Sequence, residues 1–250
     1  MDGFLSFTPL FYDTYVQISN TDIIAPLWTD LDMYTRGNVS YEQATSGPLL
    51  QTATNEMNRT FPGFSASWVF VATWEKMEFE PDVGVTFQVV LVSDVQGRTF
   101  ILMNYGPIPA VDPEPWKAGL QTQENYQNFT IQVPLSGLTT STNVGIPGRW
   151  AFQVSGATFG KCQVFALFFP VLPGAVRAVT YDGGNALVQL TQPFSYFGRD
   201  YTQLYVSKRI EQNFKNDFRH ILLQYLTGLS TASINMCKTV KPSSSSSSTA

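Results

Sequence analysis

Between residues 66 and 105 apolar and polar positions follow the two-residue period of a β-strand. "SASWVFVATWEKMEF" sets Trp68, Phe70, Ala72 and Trp74 on one face and Val69, Val71 and Thr73 on the other. Both faces are apolar, which predicts a strand covered on both sides. "VTFQVVLVSD" and "RTFILMNYG" repeat the pattern, and Val95-Gln96-Gly97 between them reads as a hairpin turn with its glycine. Nearer the start, "GFLSF" alternates Phe4 and Ser6 against Leu5 and Phe7. "DIIAPLWTDLD" is an apolar run containing Pro26, whose missing N–H predicts an edge strand or a bulge. "NFTIQVP" and "GRWAFQVS" complete the strand set.

One stretch has helical spacing. Ser46-Gly47-Pro48 supplies a start, Leu49, Ala53, Met57 and Phe61 follow at steps of four, and Pro62-Gly63 supplies a stop. That stripe predicts a helix packed on the sheet. Residues 156–192 mix Gly, Pro and apolar residues without a period, and read as a linker holding one strand at most. "QPFSYFGRDYTQLYV", residues 192–206, reads as the opening of a β-domain, with a strand starting at Leu204-Tyr205-Val206. Helical spacing returns over 207–237 through Ile210, Phe214, Phe218, Ile221, Leu222 and Leu226. The Ser-rich end, 238–250, has the composition of a disordered tail. The expected fold is therefore mainly β (α+β): an antiparallel β-sandwich-like domain with one packed amphipathic helix, plus a C-terminal helical tail.

Composition narrows the function. Charged residues make up 14% of the 250, well below the roughly 25% usual for soluble domains. Residues 207–250 carry six Lys/Arg against two Asp/Glu; the rest of the chain carries nine against seventeen. The body is thus net acidic and repels phosphate backbones, so nucleic acid is not an expected partner. No stretch reaches the ~20 apolar residues of a membrane span. The start of the chain lacks the basic, then apolar, pattern of a signal peptide. Cys162 and Cys237 allow one disulfide, but with the single His220 they do not make a structural zinc set.

Candidate chemistry is sparse. His220, the sole imidazole base, lies among apolar neighbours and reads as a helix-face residue. Asp30 and Asp32 in "WTDLD" share a strand face and are the only metal candidates, short of the six to eight oxygens calcium takes. Glu75, Glu78 and Glu80 read as a solvent-facing strand edge rather than a glycosidase pair. No phosphate loop, dinucleotide fingerprint or zinc-protease motif occurs, and no Arg-Gly-Asp. Asn38, Asn58 and Asn128 each open an Asn-x-Ser/Thr sequon and are glycosylation candidates. No cofactor is expected.

Nine segments in order, "DGFLSF", "IIAPLWTDLD", "GNVSY", "LLQTATNEMNRTF", "FSASWVFVATWEKMEF", "TFQVVLVSD", "RTFILMNYG", "AGLQT" and "STNVGIPGRWAFQV", together resemble the nidogen-type extracellular (NIDO) domain, as in nidogens and alpha-tectorin-like proteins. Members begin with a segment resembling "PFSYFGRDYTQLYV", which here follows the body instead. The resemblance thus implies a tandem array cut out of phase. Residues 1–155 would be a NIDO-like domain lacking its first strand, 156–192 a linker, and 193–206 the first-strand segment of a repeat. Residues 207–237 fall outside the family pattern. A missing first strand leaves a sheet edge open to strand addition, formed by Gly3, Phe4, Leu5, Ser6 and Phe7. The expectation is that Gln203, Leu204, Tyr205 and Val206 pair with that edge, in this chain or a neighbour, since the linker reaches on the order of 100 Å.

The resemblance implies a non-catalytic extracellular module of cell–matrix adhesion or matrix assembly, secreted or in the ectodomain of a membrane protein. Its partners would be matrix or cell-surface proteins, or sister NIDO repeats. The alternative is a carbohydrate-binding or hydrolytic β-sandwich, with Trp116 or Trp74 as a sugar platform. The stretch 104–117, opening "NYGPIPAVDPEPW", reads as an exposed Pro-stiffened loop.

Overall fold

A computed structural model describes residues 3–10, 21–29, 37–59, 61–80, 83–110, 116–123, 129–155, 160–161, 169, 173–178 and 185–207. All of them lie in the unit Met1–Ile210. In chain order the elements are β1 (Leu5–Ser6), β2 (Ile23–Trp28), β3 (Asn38–Ala44), α1 (Gly47–Asn58), β4 (Ala66–Glu80), β5 (Val83–Asp94) and β6 (Thr99–Tyr105). There follow β7 (Lys117–Gln121), β8 (Phe129–Thr130), a 3-10 turn Leu135–Thr139, β9 (Arg149–Gln153), β10 (Gly160–Lys161), β11 (Val176–Arg177), β12 (Asn185–Tyr196) and β13 (Arg199–Ser207).

The strands form two antiparallel sheets, ordered β12-β13-β1-β2-β7-β8 and β10-β9-β6-β5-β4-β3-β11. The expected β-rich fold with one packed helix is what the structure shows. Period-two alternation explains why β4 is central. Trp68, Phe70, Ala72 and Trp74 enter the core between the sheets, with Phe87, Val89, Leu91, Ile101 and Met103. Val69 and Val71 enter a second core on the opposite face, beneath Leu49, Ala53 and Met57 of α1. Both tryptophans are fully buried, and at roughly 25 cal/mol per Å² such rings dominate the burial term.

Pro26 marks a bulge, not an edge. β2 runs inside its sheet between β1 and β7, and its register against β7 shifts between Ala25 and Trp28. The proline carbonyl instead accepts the Tyr105 hydroxyl at 2.6 Å from the other sheet. A second bulge, between Trp74 and Met77, interrupts the expected solvent row of Glu75 and Glu78: Lys76 takes φ 50° and Met77 turns inward.

Two expectations change. The stretch read as a linker holds β10, β11 and the first part of β12. β12 is an edge strand with Ala186, Val188 and Leu190 turned to the core, while Leu187, Gln189 and Thr191 are exposed, so the outward Leu187 blurs the alternation that would betray it. Likewise 104–117 is not an open loop throughout, because Asn104 and Tyr105 belong to β6 and Ile108 is buried. Of 207–250 only Ser207 is among the described residues.

Candidate functional site

The feature that sets this molecule apart is a seam between the two ends of the described chain. β13 pairs antiparallel with β1, Leu5 opposite Val206 and Ser6 opposite Tyr205, and the Ser207 N–H donates to the Phe4 carbonyl at 3.0 Å. β1 in turn pairs with β2. Leu5, Phe7, Leu204 and Val206 point into the inter-sheet core, while Phe4 joins Ile23, Ala25 and Trp28 on the outer face. Gly3 enables the approach. Its φ is 75°, and a Cβ there would lie 1.8 Å from the Leu27 carbonyl oxygen, whose own N–H donates to the Gly3 carbonyl at 3.2 Å. Gln203 pairs with Gln189 inside the β12–β13 hairpin rather than with β1.

The hairpin is fixed by an aromatic and carboxylate latch. Phe7 stacks on Tyr201 at 4.1 Å between centroids and lies 5.0 Å from Tyr196. The Tyr201 hydroxyl donates to Asp22 Oδ2, and the other oxygen of Asp22 accepts the Gln123 N–H at 2.8 Å. Arg199 Nη1 donates to Gln123 Oε1 at 3.0 Å. The Tyr196 hydroxyl lies 3.1 Å from the Ile23 carbonyl and 2.8 Å from that of Gln121, bridging β2 and β7. Burial first, then the hydrogen bond to Asp22 and its charge, pushes Tyr201 up to about 12, with Arg199 pulling the other way. Tyr196 is held well above its ordinary value, again mainly by burial.

Across the core the hairpin meets the other sheet through side chains that substitute for strand partners. The Gln43 amide donates to the Gln189 carbonyl at 2.8 Å and accepts the Thr191 N–H at 2.9 Å. It does so beside the β12 irregularity between Gln189 and Phe194. Thr99 Oγ1 donates to the Ser195 carbonyl at 2.6 Å, and the Phe197 N–H donates to the Val154 carbonyl at 2.8 Å.

On the far face of the seven-stranded sheet a buried polar chain plays a similar part. The Gln88 amide donates to the Phe169 carbonyl and accepts its N–H, both at 3.0 Å. Gln88 also accepts from Asn104 at 3.1 Å, and Asn104 accepts from Arg149 Nε at 2.6 Å. Burial pulls Arg149 down to about 10 against the opposing charge of Glu56, 3.9 Å away. At neutral pH it remains a cation. The chain fastens Phe169 to the sheet.

The sequence candidates fare unevenly. Asp30, Asp32 and Asn128 lie outside the described residues. Asn58 is exposed at the last residue of α1, its Oδ1 accepting the Gly63 N–H at 2.7 Å. Asn38 is half-buried at the head of β3. Among the described residues no group of three or more metal-ligating side chains converges. Sequence reading passed over Tyr196, Tyr201, Gln43 and Asp22. One signal was present: in "FSYFGRDY" aromatics flank a two-residue Phe197-Gly198 turn, the mark of a tight hairpin.

Comparison with known proteins places this architecture. The family model "Nidogen-like domain" matches residues 1–156. Over 174 residues the chain is 34% identical to alpha-tectorin of Mus musculus, covering 60% of this chain and 8% of that protein. It is 25% identical over 169 residues to Dendrite extension defective protein 1 of Caenorhabditis elegans, covering 61% and 14%. Nidogen-2 of Mus musculus is 28% identical over 183 residues, covering 56% and 12%. The chain therefore spans less than a sixth of the length of each of these relatives. No solved structure matches. Because the matched residues make up most of the sandwich around the seam, the chain belongs to the nidogen-like (NIDO) family, an extracellular domain.

Proposed function

We propose that this chain is a non-catalytic module of cell–matrix adhesion or matrix assembly, and a piece of a tandem-repeat protein. Membership of the nidogen-like family and relatives in the extracellular matrix support a matrix module. The observation that carries the reading is a filled interior. Trp68, Phe70, Trp74 and Phe87 occupy the space between the sheets, leaving edges and outer faces as the contact surface. Charge-poor strand surfaces of this kind suit wet, polar contacts with matrix or cell-surface proteins. The junction of β1 with β13 belongs to the same reading, since the same pairing made between repeats joins them into a scaffold.

The test is adhesion of cells to plates coated with the intact chain, scored against the same chain heat-denatured. Adhesion equal on both surfaces rejects the role. Glycosylation at Asn58 is part of the proposal: material from a secretory host should lose one glycan step with Asn58→Gln, read by mass after glycosidase treatment.

A second reading rests on one feature. An open depression of about 360 Å³ is lined by Trp116, Lys117, Thr130, Gln132 and their neighbours, a place where a sugar ring can stack. A glycan array decides between the two. Sugar-specific binding lost in Trp116→Ala, without adhesion to protein, favours the carbohydrate reading.

A further inference from the structure

We propose that the β12–β13 hairpin is an exchangeable element, seated on its own sandwich in a lone copy and on the sandwich of a second copy of this chain when copies are close. The inference deepens the assembly reading by naming a partner, but it stands on the geometry of the seam.

Three observations carry it. First, the seat is built by residues distant in sequence from the hairpin. Phe7, Asp22, Gln43 and Thr99 meet Tyr201, Thr191 and Ser195 through the contacts described above, and Trp74 Nε1 donates to the Ser207 carbonyl at 3.3 Å. A second copy presents the same groups unchanged, so exchange replaces each contact by an identical one. Second, the hairpin is a complete local unit. β12 and β13 pair over Asn185–Gln189 and again over Phe194–Tyr196 beside a two-residue turn, so both paired stretches move with the hairpin. Third, its connection to the sandwich is short. Ala178 is fixed to β3 by its N–H to the Val39 carbonyl at 2.8 Å, and β12 begins at Asn185. The chain between spans roughly 20–25 Å at full extension.

That length decides the form of the assembly. A connection this short lets the hairpin reach a seat on a copy in direct contact, and no farther. The smallest closed product is a reciprocal pair related by a two-fold axis, in which each sandwich is completed by the other's strands. The β13–β1 junction supplies the recognition: four core side chains, Leu5, Phe7, Leu204 and Val206, and the Tyr201–Asp22 hydrogen bond form together or not at all.

The experiment uses the full chain with Cys162→Ser and Cys237→Ser, and Ser6→Cys with Tyr205→Cys at facing positions of the seam. Isotopically heavy and light copies are mixed at rising concentration in sub-denaturing urea, returned to buffer, oxidised and weighed after denaturation. Exchange gives heavy–light disulfide-linked dimers. Their ratio to internally closed monomer should rise roughly tenfold per tenfold concentration while monomer dominates, by mass action. Where that pair does not fold, Gln43→Cys with Thr191→Cys tests the same seam at an exposed contact. Closed monomer alone at every concentration overturns the proposal. Neither outcome touches the adhesion reading, which the coated-plate assay tests by itself.

Discussion

The β5–β6 and β12–β13 hairpins use the same fold element in opposite ways. β5–β6 sits inside the seven-stranded sheet between β4 and β9, both faces buried. Its turn is self-sufficient. Asp94 Oδ1 accepts the N–H groups of Gln96 and Arg98 at 2.9 and 2.8 Å, and Oδ2 receives Arg98 Nε at 2.6 Å. β12–β13 lies at the margin of the other sheet, with β12 unpaired on its outer side among the described strands. It is held from outside, by Asp22, Gln43, Thr99 and Phe7. One hairpin is stabilised by its own turn and central burial, the other by a receptor surface. The first is part of the cooperative core; the second behaves as a docked ligand that happens to be covalently attached.

The sharpest way to break that comparison is to remove the same group from each. Leu91 in β5 and Leu204 in β13 are both fully buried in the inter-sheet core. Leu→Ala at such sites costs about 2–5 kcal/mol. Leu91→Ala should lower hydrogen-exchange protection in both sheets together, because β5 opens only with the whole sandwich. Leu204→Ala should lower protection mainly in β12, β13 and β1. Equal, global losses from both would merge the two hairpins into one cooperative unit.

The same contrast explains what could be read in advance. β4, β5, β6 and α1 were legible because each is shaped by its own period: two-sided apolar alternation for the strands, a stripe at steps of four for Leu49, Ala53 and Met57. The Gly97 turn was legible for the same local reason. β12 was not. Its outward positions mix Leu187 with polar Gln189 and Thr191, and its ladder is broken at the irregularity after Gln189, where the Gln43 amide takes over. Nothing local in "NALVQLTQP" announces a partner almost 150 residues away. Gln88 is the parallel case: a glutamine inside the apolar run "VTFQVVLV" looks like a flaw in a strand until Phe169 arrives to be paired by it. Pairing through side-chain amides leaves no periodic trace. The β13–β1 pairing, seen at Leu5–Val206 and Ser6–Tyr205, leaves no pattern either, because its two halves lie about 200 residues apart in the sequence.

The turn chemistry yields the next effect. Asp94 is buried while Arg98 is partly exposed. Asp94→Ala strips two backbone contacts and the ion pair with Arg98, and leaves two backbone N–H groups to find water. A loss of about 2–3 kcal/mol is expected, read from the denaturant midpoint with the slope unchanged. No single residue in the Phe197-Gly198 turn should matter as much, since that hairpin is held elsewhere.

Alkaline pH should act in the reverse sense, on the docked hairpin first. Tyr201 titrates up near 12 when folded and near its ordinary value, about 10, when unfolded. The folded state therefore keeps a proton that the unfolded chain gives up. The resulting stability is whole below pH 10 and drains away as pH rises through 12. Tyr196 and the buried Tyr105 shift in the same direction, so the decline is shared. Tyr201→Phe should lower stability at pH 8 through loss of the Asp22 bond, yet flatten the fall between pH 10 and 12. An unchanged slope would remove Tyr201 from the latch.

The smallest effect comes from the most closely matched pair. Gly97 and Gly198 have φ of 77° and 83°, and a Cβ at either would meet nothing within 4 Å. Alanine at each therefore incurs the left-handed backbone penalty alone, about 1–2 kcal/mol. The cost is equal, but where it appears should differ. In Gly97→Ala it falls on the β5–β6 turn and, through it, on the global midpoint. In Gly198→Ala the Tyr201 and Gln43 contacts stay in place, so the penalty should raise the opening of β12–β13 by roughly fivefold to thirtyfold in exchange rate. The global midpoint should then move less than it does for Gly97→Ala. Matched midpoint shifts in the two variants would mean that the seam transmits strain as fully as the central sheet does, and that the hairpin is as much a part of the core as the strands it covers.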